Sequence, residues 1–269
     1  MIEDPSPLTI LLLGFLEGLT EFLPVSSTGH LILAGELIGY AGEESKTFKI
    51  SVQLGAILAV LAAYRTRCTD AALGLLRRER EALLFARNIF IGFLPAIAIG
   101  VLAYDAVRVA LGAPTVVAVA LVAGGLVMLI LDRRASSARF DSVEAIPMRA
   151  ALLVGVLQCL AMVPGVSRSG ASILGGLAIG VERKAAAEFS FFLAVPTMIA
   201  ATTYDLYRNR DLLAADQIAD IGLGAGAAFV TALVVVKAFV AIVSRHGFGP
   251  FAWYRIAAGS AALAWLALR

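Results

Sequence analysis

Long apolar runs alternate with short polar interruptions along the whole of this 269-residue chain. Six of the runs, 48–64, 83–104, 115–131, 189–204, 218–243 and 251–268, approach the roughly 20 residues that cross the hydrocarbon of a bilayer. Each predicts a transmembrane helix. Two further stretches, 8–39 and 148–180, are apolar at both ends but carry Gly, Pro, Ser and charge in the middle, which predicts a helix that stops, turns and goes back. Broken backbone at membrane depth is tolerated only where protein or a wet cavity satisfies its hydrogen bonds, so these two re-entrant helical hairpins should line an internal polar site. The expected fold class is an all-α polytopic membrane protein, a single integral membrane domain over 1–269.

The two hairpins are also copies of one another. GFLEGLTEFLPVSSTGHLILAGELIG from Gly14 aligns without a gap on GVLQCLAMVPGVSRSGASILGGLAIG from Gly155, matching at Leu16/Leu157, Leu19/Leu160, Val25/Val166, Ser26/Ser167, Gly29/Gly170, Ile32/Ile173, Leu33/Leu174 and Gly39/Gly180. Duplication is the economical reading, with repeat halves of about 8–131 and 148–268. The copies part where chemistry could reside. Glu17, Glu21 and His30 of the first face Gln158, Met162 and Ala171 of the second, which offers Arg168 instead.

Composition agrees with the pattern and adds an orientation. At 60% hydrophobic and 16% charged, the chain is more apolar than soluble domains, whose apolar share is about half. The start Met-Ile-Glu-Asp-Pro puts acids where a signal peptide has its basic region, so a cleaved leader is not expected. Arg65, Arg67, Arg77, Arg78 and Arg80 crowd one loop, and Arg133, Arg134, Arg139 and Arg149 the next but one. Basic loops mark the cytoplasmic side, and counting crossings from them puts both the N- and C-termini outside. The hairpins then enter from opposite faces, the signature of an inverted-topology repeat with a polar site near the midplane. The loop charge carries no aromatic interleaving, so no nucleic-acid partner is expected. Cys68 and Cys159 lack metal or redox spacing and are expected to be bystanders without a disulfide. Gly222, Gly224 and Gly226 suggest close helix packing within one chain or between two, which leaves room for a homodimer.

An ionisable side chain inside a membrane segment costs at least a few kcal/mol and is by default functional. Glu17 and Glu21 are one helical turn apart on one face, and their oxygens suit a divalent cation, Mg²⁺ or Ca²⁺. The blander alternative is that one of them forms a structural ion pair with Arg168 or simply sits among the lipid headgroups. In Pro24-Val25-Ser26-Ser27-Thr28-Gly29-His30, three hydroxyls lie beside an imidazole; a hydroxyl needs a base or a strong field before it attacks phosphorus, and His30 is near Ser27 if a helix starts there. In Pro164-Gly165-Val166-Ser167-Arg168-Ser169-Gly170, glycines admit close backbone approach, a restarting helix aims its positive end inward, and Arg168 offers a planar fork to phosphate oxygens. Together the two hairpins predict anion binding on one side and proton and metal work on the other. Gln53, in the span after the first hairpin, could face this site.

EGLTEFLPVSSTGH at 17–30 and PGVSRSG at 164–170 together resemble the undecaprenyl-diphosphate phosphatases, also called bacitracin-resistance proteins, over essentially the whole chain. The resemblance implies a bacterial inner-membrane enzyme that removes the terminal phosphate of undecaprenyl diphosphate to recycle the monophosphate carrier for cell-wall synthesis. It implies a divalent cation and an active site open to the periplasm. Carried over by position, the functional residues are Glu17, Glu21, Ser27, His30 and Arg168, with Ser26, Thr28, Ser167 and Ser169 as phosphate contacts. Ser172 stands where threonine is common in the family; both carry a hydroxyl. The expected mechanism has Arg168 and the backbone from Gly165 to Gly170 bind the diphosphate, Glu17 and Glu21 hold the cation, Ser27 attack or orient water, and His30 handle the proton. The rival is a lipid flippase or transporter for an anionic headgroup, since inverted repeats with broken helices are a transporter architecture.

Overall fold

A computed structural model describes residues 5–134, 138–210 and 215–268. The described residues are helical throughout apart from short connections. Six helices are long and apolar enough to cross a membrane, over Ser45–Ala63, Arg80–Leu102, Pro114–Asp132, Arg183–Arg208, Ala215–Val243 and Gly249–Leu268. These are the six predicted from the hydropathy pattern, with ends shifted by a few residues.

The first hairpin is α1 (Pro7–Thr20) and α2 (Ser27–Ile38), joined by a turn. Ser6 caps α1 by accepting from the Thr9 N–H, with Pro7 in the first helical turn, where its missing N–H costs nothing. The helices α3 (Glu43–Ser51) and α4 (Gln53–Ala63) make one span that is interrupted at Val52. Next come α5 (Arg65–Leu76), α6 (Arg80–Leu102), α7 (Tyr104–Ala110) and α8 (Pro114–Arg134). The second hairpin is α9 (Met148–Gln158), a 3₁₀ turn Cys159–Met162, and α10 (Arg168–Ala178); α11 (Arg183–Arg208), α12 (Ala215–His246) and α13 (Gly249–Leu268) complete the chain. The basic stretch after α4 and the stretch after α6, both expected as loops, contain the helices α5 and α7. Their low apolar content hid them, because a helix lying outside the spans need not carry a continuous hydrophobic run.

Packing brings the two hairpins together in the middle of the molecule. The first lies against α12, the second against α6, while α8 and α13 pair closely and α10 rests on α8 and α11. Small residues set the spacing. A Cβ on Gly14 would fall 2.2 Å from the Gly224 carbonyl oxygen, and one on Gly155 would fall 2.2 Å from that of Gly92, so helix backbones touch at both places. Gly224 thus packs within this chain, whereas Gly222 and Gly226 have nothing within 4 Å. Phe22, just beyond α1, is fully buried with its ring edge-on to Phe191 of α11 at 5.2 Å, which anchors the first turn against the core.

Candidate active site

Each hairpin breaks in the same manner. Ser26 at φ 72° caps α2 by accepting from the Gly29 N–H at 3.3 Å, and Ser167 at φ 78° caps α10 by accepting from the Gly170 N–H at 3.0 Å. Positive φ is uncommon for a residue with a Cβ and marks stored strain at functional turns. The sharp reversal puts the next residue, Ser27 in one copy and Arg168 in the other, at the first position of an inward helix. The side chains then meet. The Ser27 hydroxyl donates to Glu21 Oε2, and Arg168 Nη2 donates to Glu21 Oε1 at 2.7 Å.

This three-membered chain borders a cavity of about 460 Å³ whose wall includes Glu21, Ser26, Ser27, Thr28, Gly165, Ser167 and Arg168. Gln53 lines it too and donates to Thr28 Oγ1 at 3.4 Å. Arg168 is braced from behind by α11, with Nη1 donating to the Ser190 carbonyl at 2.8 Å. Ser172, where the resemblance suggested a threonine, donates to the Ser190 hydroxyl at 2.7 Å. The Nε of Arg168 is buried and has no hydrogen-bond partner. Arg108 and Asp205 also line the cavity, and Arg108 binds Asp205 at 2.7 Å and Glu43 at 2.8 Å. The hydrogen bond from Arg108, then that from Lys46, holds the Glu43 carboxyl below its ordinary range.

Glu17 lies wholly buried beside Glu21 and Ser27, and neither of its carboxylate oxygens has a hydrogen-bond partner. An orphaned carboxylate next to a second one fits a cation. Among the described residues no three acidic, histidine or cysteine side chains converge as a metal group, so the protein offers two carboxylates. That donor set suits Mg²⁺, which is commonly held by one or two carboxylates with substrate phosphates supplying further oxygens.

Other expected contributors sit elsewhere. His30 is not on the cavity wall; Nδ1 is 2.8 Å from the Ser26 carbonyl oxygen and Nε2 is 2.7 Å from the Tyr254 hydroxyl. A carbonyl only accepts, so Nδ1 carries the proton, and Nε2 of the neutral ring accepts from Tyr254. Glu21, rather than His30, bonds the Ser27 hydroxyl, because both ring nitrogens of His30 are engaged by the Ser26 carbonyl and by Tyr254 of α13. The expected backbone contribution from Gly165 to Gly170 is also reduced. The Gly170 N–H is taken by Ser167 Oγ, and the Ser169 hydroxyl crosses to the Leu23 carbonyl at 2.9 Å, tying the turns to each other rather than facing the cavity. Gly165 is required by its φ of 97° and by the Val117 carbonyl 2.5 Å from where a Cβ would lie.

Three participants escaped the sequence reading. Ser190 and Tyr254 gave no signal, being ordinary residues in apolar helices whose partners are distant in the chain. Arg255 did give one, since an arginine in a spanning helix is costly. It is 1% exposed.

A family model described as Bacitracin resistance protein BacA matches residues 10–261. The chain is 60% identical over 259 residues to an undecaprenyl-diphosphatase of Sphingopyxis alaskensis, covering 96% of this chain and 97% of that one. It is 52% identical over 266 residues to an undecaprenyl-diphosphatase of Rhizorhabdus wittichii, covering 99% and 100%, and 50% identical over 249 residues to undecaprenyl-diphosphatase 3 of Acinetobacter baylyi, covering 93% and 94%.

Proposed function

The chain belongs to the bacitracin resistance protein BacA family, and we propose that it is an undecaprenyl-diphosphatase of a bacterial inner membrane whose hydrolytic site is the meeting point of the two hairpins. The observation that carries this reading is the link Arg168–Glu21–Ser27 at the cavity wall: an anion-binding fork, a base and a nucleophile in one hydrogen-bonded line. The product would be the undecaprenyl phosphate carrier, recycled for wall synthesis.

In the resting site Glu21 neutralises Arg168. An arriving diphosphate draws the guanidinium, whose Nε has no hydrogen-bond partner, and leaves Glu21 to serve Ser27 alone. The Ser27 oxygen attacks the terminal phosphorus as its proton passes to Glu21 Oε2; the bond from that phosphorus to the bridging oxygen breaks, and lipid monophosphate leaves. Water then hydrolyses the phosphoserine, returning the hydroxyl and releasing inorganic phosphate. Most of the acceleration in such transfers is positioning and charge stabilisation, which Ser26, Thr28 and Ser167 extend as hydroxyls on the wall. Glu17, with Glu21 beside it, would hold a divalent cation, which supplies charge compensation for the carboxylates and diphosphate. His30 supports the turn through the Ser26 carbonyl and Tyr254.

The finer architecture belongs to the same proposal. The hairpins are re-entrant and the halves form an inverted-topology repeat, with both termini and the cavity mouth on the periplasmic side. In support, packing partners exchange between halves: α1 with α12 corresponds to α9 with α6, and α4 with α12 to α11 with α6. The open Gly222 and Gly226 would admit a second copy along α12.

Phosphate release from undecaprenyl diphosphate by the purified protein in detergent tests the reading. Chelator should abolish release, and Arg168→Ala should lower kcat about 100- to 1000-fold, the usual cost of one preorganised charge donor. Intact lipid under every cation condition would overturn hydrolysis in favour of lipid transport.

A further inference from the structure

Arg255 is the largest fully buried side chain among the described residues. Its five N–H donors are all directed at backbone carbonyls. Nη1 reaches Pro24 and Val166, each at 2.9 Å; Nη2 reaches Gly165 at 2.9 Å and Ala120 at 3.1 Å; Nε points to Leu121 at 3.4 Å. None of the ion pairs among the described residues includes it. A charged group deep in a membrane protein without a carboxylate partner is expensive, and a salt bridge cannot be its reason for being there.

The identity of the carbonyls supplies one. Pro24 and Gly165 are equivalent positions of the two hairpin copies, separated by the same offset as Gly14 and Gly155. Where the helices break, these carbonyls lose their helical partners and must be satisfied from elsewhere. One guanidinium satisfies both, and its rigid fork fixes the distance between them as a flexible ammonium could not. Three residues beyond Pro24 stands Ser27, and three beyond Gly165 stands Arg168. The protein also makes room for this contact, since a Cβ on Gly124 would fall 2.1 Å from Arg255 Nη2.

We propose that Arg255 is a positioning residue for the phosphatase reaction, a clamp between the two turns that sets Ser27 and Glu21 against Arg168. The inference rests on the hydrolytic reading of that site. Arg255 does not line the cavity and does not touch the Arg168–Glu21–Ser27 chain, so losing the clamp should leave substrate binding largely intact while misaligning the reacting groups. Displacement by about 1 Å costs on the order of 100-fold in rate.

The test uses two variants with different physical causes, Arg255→Lys and Gly124→Ala, beside wild type and Arg168→Ala. All are purified in detergent and checked for monodispersity and thermal unfolding before phosphate release from undecaprenyl diphosphate is measured. The expected result is a folded variant with kcat lowered about 100-fold and KM changed by less than about threefold, since uniform binding is preserved. Wild-type kcat in either folded variant overturns the clamp, as does failure of both variants to yield folded protein, which would make Arg255 a folding residue only. A wild-type protein that releases no phosphate, or an Arg168→Ala protein that releases it normally, would instead overturn the hydrolytic reading.

Discussion

The turn ending at Ser27 and the turn ending at Arg168 share a backbone and differ in chemistry. Both reverse through a serine at positive φ, 72° at Ser26 and 78° at Ser167, and both caps accept from the glycine three residues on. Arg255 holds the equivalent carbonyl in each. The residue delivered by the reversal differs: a hydroxyl in one copy, a guanidinium in the other. Behind them, Glu17 and Glu21 of the first copy answer to Gln158 and Met162 of the second. The repeated turn thus provides two matched places at which a side chain can be aimed at the cavity, and under the proposed function nucleophile and base fall to one and anion binding to the other. Fusing both roles into one turn would put a carboxylate and a phosphate ligand on the same short segment; dividing them lets Arg168 lie between the acid and the arriving charge.

The largest effect that could break this division comes from Ser27→Ala. If the first turn alone carries the nucleophile, phosphate release should fall by about 10⁴-fold or more, in the range seen when other hydrolases lose theirs, and no phosphoserine should form with any substrate. The second turn has the hydroxyls Ser167 and Ser169, but these are bonded to each other at 3.1 Å and Ser169 to the first turn, so neither should substitute. Activity of Ser27→Ala within tenfold of wild type, measured as phosphate release, would mean direct attack by water and would reduce Ser27 to a wall residue.

A middle-sized effect tests whether the two copies are seated alike. Gly14→Ala and Gly155→Ala each drive a methyl to 2.2 Å from a backbone oxygen, of Gly224 and Gly92 respectively. Neither oxygen belongs to a flexible side chain, so two helices must separate in each case. The expected cost is about 1–3 kcal/mol for both, read as a fall in thermal unfolding temperature in detergent. Markedly unequal losses would show that one hairpin is held less tightly than its copy.

Much of this was legible from the order of residues, for reasons that differ by feature. The spans announce themselves because a bilayer demands long apolar runs, and the turns because Gly, Pro and Ser grouped within an apolar stretch interrupt the helix there. Glu21 and Arg168 stand out because charge at that depth is costly, and Ser27 because three hydroxyls cluster beside an imidazole; the structure brings these three side chains together. The partners of His30 were not legible: with the helix starting at Ser27 the imidazole is one turn away, yet its ring nitrogens are engaged by the Ser26 carbonyl and by Tyr254, 224 residues away. Ser190 was hidden for the same reason: its effect depends on which helix packs behind Arg168, and hydropathy is blind to that. The helices α5 and α7 lie outside the apolar runs and so carried no membrane-length signal.

The finest test compares serine with glycine at the caps. Glycine adopts positive φ without the Cβ penalty and loses only a few tenths of a kcal/mol as an N-cap, whereas alanine keeps the strain and forfeits a cap hydrogen bond, about 1 kcal/mol. At Ser26, therefore, Ser→Gly should leave unfolding nearly unchanged and Ser→Ala should lower stability by about 1 kcal/mol; at Ser167 glycine should again cost less than alanine, on top of a loss common to both. Ser167 adds a difference. Its hydroxyl also contacts Ser169, which holds the Leu23 carbonyl of the other turn, so Ser167→Ala should cost more than Ser26→Ala by about one further hydrogen bond, roughly 0.5–1.5 kcal/mol. Thermal unfolding of the four variants in one detergent decides it. If alanine and glycine are equivalent at both sites, the positive φ is not strained and the shared reversal is set by the packing around it. If they differ at one site only, the two turns are alike in shape but not in how they are held, and the clamp from Arg255 must be carrying more of one turn than of the other.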